Sequence, residues 1–121
     1  MRTVLITGVS SGIGEASKDY FLANNYKVIG LDINEIKEHE NLVSFKVDIR
    51  DKIELEKLKQ YITDNNIELD AIINVAGIHK MASLVEDDFE VIKKLMDINV
   101  LGTMLVNNVF HSTLKKDGRV I

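Results

Sequence analysis

Three glycines, two serines between them and an aspartate further on are the residues of this chain whose types and spacing suit chemistry on a phosphate. They sit at Gly8-x-x-x-Gly12-x-Gly14, Ser10, Ser11 and Asp32. An apolar run, Val4 to Ile6, predicts a buried strand just before the loop, and a helical pattern begins at Ile13 just after the second glycine. In a strand, glycine loop and helix of this kind, one glycine turns the chain off the strand. A second lets backbone approach the phosphates, and a third lets the helix pack close to the sheet. The helix start adds unpaired N–H groups and a partial positive charge, and Ser10 and Ser11 add hydroxyl donors. The loop lacks the Lys-Ser/Thr ending of a P-loop, which argues against a triphosphate site with magnesium. Asp32 ends the second apolar run, where a dinucleotide fold needs a carboxylate for the adenosine ribose hydroxyls. A carboxylate there repels a 2′-phosphate and so favours NAD over NADP. The loop holds no lysine or arginine, and Lys37 is the nearest base downstream of Asp32. The plainer alternatives are a flexible turn and a solvated aspartate.

The elements that must position these residues follow from the hydrophobic pattern. Ile13, Ala16, Tyr20 and Phe21 recur at helical spacing, and Asn24-Asn25 breaks that helix. Lys27 to Leu31 is a second strand. Ile33 to Asn41 is polar and reads as a loop or short exposed helix. Val43 to Val47 alternates with period two, as a half-covered edge strand does, and Asp48 closes it. Asp51 caps the next helix with Glu54 three residues later, and Leu55, Leu58, Tyr61 and Ile62 form its buried stripe up to Asn65-Asn66. Ala71 to Val75 reads as a central strand. Ser83-Leu84-Val85-Glu86 is a capping-box pattern opening a helix to about Met96. A last long helix is expected over Ile98 to Lys116, stopped by Asp117-Gly118, with Arg119-Val120-Ile121 opening a fifth strand. Strands alternating with helices, without hairpin signals, imply right-handed crossovers and a parallel α/β sheet.

Composition narrows the function classes. The chain has 121 residues, 45% hydrophobic and 28% charged, with a net charge of −4 and both signs interspersed. No basic block suggests nucleic acid or an anionic membrane surface. No cysteine is present, which excludes thiolate catalysis and cysteine metal sites. No apolar stretch approaches membrane-spanning length. Met1 is followed almost directly by the first strand, so no signal peptide is expected and the cytoplasm is the default location. His39, His79 and His111 have no ligand spacing, so no metal site is expected. The length fits one domain, residues 1–121, with no internal boundary.

Thr7-Gly8-Val9-Ser10-Ser11-Gly12-Ile13-Gly14 resembles the Thr-Gly-x-x-x-Gly-Ile-Gly signature of the short-chain dehydrogenase/reductase family. Further motifs follow in the family's order: Asp48-Ile49 at the end of the third strand, Asn74-Val75-Ala76-Gly77 similar to Asn-Asn-Ala-Gly, and Asn99 in Asp97-Ile98-Asn99-Val100-Leu101-Gly102. Val75 departs from the family's second asparagine. The resemblance implies a Rossmann-type doubly wound parallel sheet of order 3-2-1-4-5, truncated in the fifth strand. It also implies an oxidoreductase that interconverts a hydroxyl and a carbonyl on a small-molecule substrate by hydride transfer. Gly8, Ser10, Ser11, Gly12, Ile13 and Gly14 would then face the pyrophosphate and Asp32 the ribose. Asp48 and Ile49 would hold the adenine, and Asn74, Ala76 and Gly77 the neighbourhood of the ribose and nicotinamide.

Asn99 matches the helix asparagine of the family's catalytic tetrad, whose backbone positions a water in the proton relay. The family's catalytic serine and Tyr-x-x-x-Lys pair have no counterpart, because none of Tyr20, Tyr26 and Tyr61 has a lysine four residues on. The chain is therefore expected to be the cofactor-binding portion of a longer enzyme and inactive by itself. The alternative is a non-catalytic dinucleotide-binding module. Ile78, His79 and Met81 are candidates to face the nicotinamide or substrate, with a surface loop as the plainer reading. The acids Glu86, Asp87, Asp88 and Glu90 suit the first turn of a helix better than a cation. The last helix is apolar nearly all round, which predicts burial on two sides. By the resemblance, one of those sides is an interface between subunits of a homo-oligomer.

Overall fold

Short apolar runs bounded by polar residues become the strands, and the amphipathic stretches between them become the crossovers. The computed structural model describes residues 1–78 and 88–121. In order they form β1 (Thr3–Thr7), α1 (Gly12–Ala23), β2 (Lys27–Asp32), β3 (Leu42–Lys46), α2 (Lys52–Asp64), β4 (Leu69–Ile73), α3 (Phe89–Met96), α4 (Thr103–Phe110) and β5 (Leu114–Val120). The five strands pair in parallel in the order β3-β2-β1-β4-β5. All of β1 is buried, as a central parallel strand covered on both faces must be. One face carries Leu5, Ile29 and Ile72 against α2 and α4, with Leu55, Val106 and Phe110 in the seam. The other carries Val4, Ile6 and Val28 against Leu22 of α1. This is the Rossmann-like arrangement expected from the sequence.

Several local expectations match. Asp51 accepts the amide of Glu54 at 3.2 Å, and Leu55, Leu58 and Ile62 are buried. Asn25 and Asn66 turn the chain out of α1 and α2 in the left-handed region, at φ 64° and 53°, which asparagine tolerates better than most residues.

The face of α1 differs from expectation. Ile13 and Tyr20 are 76% and 65% exposed, and Ala16 is exposed too. The buried line is Gly14, Lys18 and Leu22, an i, i+4 series. Gly14 decides this: a Cβ there would lie 1.8 Å from the carbonyl oxygen of Gly8, so the glycine must face the loop. That contact fixes the rotation of the helix and turns Ile13, one residue back, outward. Lys18 then supplies apolar stem to the core while its ammonium reaches Asp19 at 3.2 Å.

The last helix also differs. It does not break at Met96 and does not run to Lys116. From α3 the chain continues through a π-helical segment, Asp97–Gly102, into α4 and a 3₁₀ turn, His111–Thr113. The hydroxyl of Thr113 donates to the Phe110 carbonyl at 2.6 Å, and β5 begins at once. Asp117-Gly118 does not stop a helix. It lies in an irregularity of β5, where pairing jumps from Leu69–Leu114 to Ala71–Arg119. Regular pairing therefore resumes at Arg119, the residue expected to open the strand. β4 also starts and ends two residues before the expected span, which leaves Asn74 and Val75 just beyond the strand. β3 is displaced by one residue. The capping box Ser83 to Glu86 lies outside the described residues, as do His79, Met81 and Asp87. The first cap described for α3 is Asp88, which accepts the amide of Val91 at 3.0 Å.

Opposite the irregularity in β5, Asp70 accepts the Thr3 amide at 2.8 Å and the Lys115 ammonium at 3.0 Å. Burial pushes its pKa up, but these partners outweigh burial and hold it below the ordinary 3.8. The unfolded chain thus binds more protons at this site than the folded one in acid. The stabilisation is complete above the ordinary value and is lost as pH falls through the lowered folded value. Asp70→Asn is expected to flatten the acid limb of a stability-against-pH curve from urea melts, below about pH 4. Parallel limbs for the two proteins would refute this.

Candidate functional site

At the carboxyl ends of β1, β2 and β4 three connections meet. Gly8, with φ +74°, turns the chain off β1, and its amide donates to the Leu31 carbonyl at 2.8 Å. A Cβ on Gly8 would come within 2.9 Å of the Ala76 backbone, so the loops after β1 and β4 are in direct contact. Thr7, 1% exposed, holds that contact: its hydroxyl oxygen accepts the amides of Val75 at 3.1 Å and Ala76 at 3.0 Å. Val9 is fully buried over Gly30 of β2, which pins the glycine loop to the sheet. Thr7 and Val9 escaped the sequence reading as anchors. Their signals were a hydroxyl closing an apolar strand and one apolar residue inside a polar loop.

The loop is packed on one side and open on the other. Gly14 abuts Gly8, whereas a Cβ on Gly12, at φ +56°, would meet nothing within 4 Å. Ser11 precedes α1 without a side-chain hydrogen bond to the helix, so the first-turn amides keep no side-chain cap from it. These features leave the backbone at Ser11, Gly12 and the exposed Ile13 open to approach, at a helix start whose first N–H groups have no intrahelical acceptor. Asp32, the last residue of β2, turns its carboxylate over the loop. One oxygen accepts the Ser10 amide at 3.0 Å and the other the Asn34 amide at 2.9 Å. Each oxygen retains acceptor capacity. Asp32 therefore both steadies the loop and leaves a negative group beside its open face.

Asp48 and Ile49 stand on the same edge, because the Val47 amide donates to the Asp32 carbonyl at 2.9 Å. Ile49 is buried against the π-helical segment, where a Cβ on Gly102 would lie 2.6 Å from its Cδ1. Asp48 is gripped by Arg50, whose Nη2 lies 2.6 Å from Oδ2. That pairing, foremost, holds the Asp48 carboxyl below its usual range.

Asn74, Ala76 and Gly77 lie on the connection after β4. The Asn74 side chain donates to the Asn107 side chain at 2.9 Å and to the Ile121 carbonyl at 3.2 Å. Among the described residues its own carbonyl oxygen is buried without a partner. Asn99 lies in the π-helical segment, a deformation frequent at functional sites. Its side chain is committed to protein: Oδ1 accepts the Ile78 amide at 2.7 Å and Nδ2 donates to the Ile78 carbonyl at 2.6 Å. The amide thus straps the connection after β4 to the helix.

The glycine loop, Asp32, Asp48-Ile49, Asn74 to Gly77 and Asn99 therefore share one edge of the sheet, although up to ninety residues separate them in sequence. Replacing Thr7 by valine removes the acceptor for two amides. The expected cost is about 1–3 kcal/mol in a urea melt, with Thr7→Ser restoring most of it. An unchanged midpoint for Thr7→Val would refute the strap.

Comparison with known proteins identifies the architecture. The family model for short chain dehydrogenase matches residues 2–121. A diacetyl reductase [(S)-acetoin forming] of Staphylococcus epidermidis is 31% identical over 113 residues, covering 85% of this chain and 44% of that protein. An NADPH-dependent 1-acyldihydroxyacetone phosphate reductase of Schizosaccharomyces pombe is 29% identical, covering 99% of this chain and 43% of that protein. The crystal structure of a short chain dehydrogenase family protein from Francisella tularensis superposes with a TM-score of 0.88 at 31% identity, over 99% of this chain and 49% of that one. A short chain dehydrogenase from Leptospira borgpetersenii, solved with bound NAD+, gives 0.84 at 25% identity, over 89% of this chain and 44% of that one. This chain spans about half the length of the curated relatives it matches. From its second residue to its last, the chain belongs to the short chain dehydrogenase family.

Proposed function

We propose that residues 1–121 form a dinucleotide-binding unit of an oxidoreductase that interconverts a hydroxyl and a carbonyl, with NAD(H) preferred over NADP(H). The observation that carries this reading is the Asp32 carboxylate, held over the open face of the glycine loop by the Ser10 amide. The free N–H groups at the start of α1 suit a pyrophosphate, and Gly12 leaves room for it. Asp32 suits paired ribose hydroxyls and opposes a phosphate on the 2′ oxygen. Relatives exist with either cofactor, so the preference rests on this carboxylate alone. Asp48 and Ile49 would face the adenine, and Asn74, Ala76 and Gly77 the nicotinamide end.

When bound, the nicotinamide supplies or accepts hydride. The chain's own residues bind and orient it. Asn99 straps the connection after β4 at Ile78 and keeps the nicotinamide end of the site in place. In this reading the chain alone turns over no substrate, since it holds no Tyr-x-x-x-Lys pair to move the proton. That same feature of the sequence supports the second reading, a binding module without chemistry. NADH oxidation by the chain with small carbonyl compounds would overturn the claim of inactivity.

Fluorescence titration with NADH and NADPH tests the binding reading. NADH is expected to bind more tightly, and Asp32→Ala to erode the preference to within about threefold, on the order of one lost charge-assisted hydrogen bond. Tighter NADPH binding by the unmutated chain would reverse the cofactor assignment, and failure of both to bind would defeat the function.

The exposed side of the last helices supports a homo-oligomer. Phe89, Ile92, Met96, Val100 and Met104 form an exposed apolar stripe, while Val106, Val109 and Phe110 are buried on the opposite side. A contiguous apolar surface of this kind favours association. Light scattering is expected to show self-association, reduced in the double variant Met96→Glu, Met104→Glu. A monomeric unmutated chain at high concentration would refute it.

A further inference from the structure

The backbone on either side of Asp48 is fixed. Val47 donates to the Asp32 carbonyl at 2.9 Å, and Val47 and Ile49 are 8% and 6% exposed. What remains to be set is the direction of the Asp48 carboxylate, and Arg50 sets it. Oδ1 accepts both the Arg50 amide and Nε, each at 3.0 Å. Oδ2 accepts Nη2 at 2.6 Å, with a longer contact of 3.2 Å from Nε. An ionised carboxylate offers about four acceptor positions. The guanidinium fork and the amide use both positions on Oδ1 and one on Oδ2, leaving a single fixed acceptor. The Asp48 side chain is 38% exposed, so that acceptor has access to solvent.

We propose that Arg50 is a positioning residue for the base end of the site: it locks the Asp48 carboxylate so that one oxygen lobe accepts the amino group of an aminopurine and rejects a 6-oxopurine. The proposal rests on the dinucleotide reading above, in which Asp48 faces the adenine. An exocyclic amine donates to a fixed lone pair, whereas the O6 of hypoxanthine at the same place opposes the carboxylate. Hypoxanthine does present an N1–H beside O6. A locked carboxylate cannot turn to reach it, and a released one can. Discrimination between the two bases therefore depends on the fork and not merely on the charge of Asp48. The pairing raises the Arg50 pKa and lowers that of Asp48, so both stay charged across the neutral range.

The test is a fluorescence titration of the full 121-residue chain with NADH and with its hypoxanthine analogue, deamino-NADH, for the unmutated protein, Arg50→Ala and Arg50→Lys. The unmutated chain is expected to favour NADH by about tenfold, the scale of one hydrogen bond to a charged group. In both variants the ratio should fall to about threefold or less, through weaker NADH binding, while deamino-NADH binding stays within about twofold. Lysine keeps the charge but not the fork, so a ratio preserved in Arg50→Lys would overturn the geometric claim. A ratio unchanged in Arg50→Ala, or loss of both ligands in the variants alone, would overturn the positioning role. Failure of the unmutated chain to bind either ligand would instead defeat the dinucleotide reading itself.

Discussion

The contact between the ends of β1 and β4 governs the rest of this structure. The Thr7 hydroxyl oxygen accepts the amides of Val75 and Ala76 beyond the end of β4, and Gly8 lies against the backbone of Ala76. No side chain fits between these two connections. Once they meet, Gly14 must face the Gly8 carbonyl, and the rotation of α1 follows. The orientation of Lys18 and Leu22 toward the sheet is a consequence of that close approach, more than of the apolar residues on the helix. Packing at a backbone contact outweighs a weak hydrophobic stripe here, because an added Cβ would overlap an oxygen outright while an exposed isoleucine forgoes only about 1.5–3 kcal/mol of burial.

A second joint links the two ends of the site. Ile49 is seated on Gly102 in the π-helical segment, and Asn99 in the same segment holds Ile78 after β4. The base end and the nicotinamide end of the proposed cofactor site thus bear on one short stretch of helix. The widened turn presents the Asn99 side chain to the strand connection and Gly102 to Ile49 within four residues. The same stretch carries Val100 and Leu101, which remain exposed, 44% and 55% accessible. Positioning of the candidate site and the exposed apolar surface are therefore built from adjacent residues.

Electrostatics act locally. Asp32, Asp48 and Asp70 each hold backbone amides or a basic side chain within 3.2 Å. Asp70 secures the opposite edge of the sheet, tying β1 and β5 to β4. Asp32 and Asp48 stand at the carboxyl ends of the strands and keep acceptor capacity there. The same residue type serves as a clamp at one end of the strands and, in the proposed function, as a recognition group at the other, and the difference lies in which partners use up its oxygens.

The alternation of strands and helices, the cap at Asp51, the asparagine turns and the residues of the glycine loop were legible in the residues, because each depends on neighbours a few positions away. The strand order was expected only through the family resemblance, since it depends on pairings such as β1 with β4 that join distant residues. The candidate site was legible as a set of motifs, and the structure gathers them on one edge. Other features depend on residues far apart in the chain. The face of α1 was set by Gly14 meeting Gly8. The start of β5 at Leu114 was set by pairing with Leu69, which overrode a helical pattern running on to Lys116. The anchoring role of Thr7 needed the amides of Val75 and Ala76, and the commitment of the Asn99 side chain needed Ile78. Local sequence determined most of the elements and the motif residues on which the dinucleotide proposal rests. Tertiary contact decided rotation, register and the direction of each polar group, because those depend on which backbone atoms are brought within hydrogen-bonding and van der Waals reach.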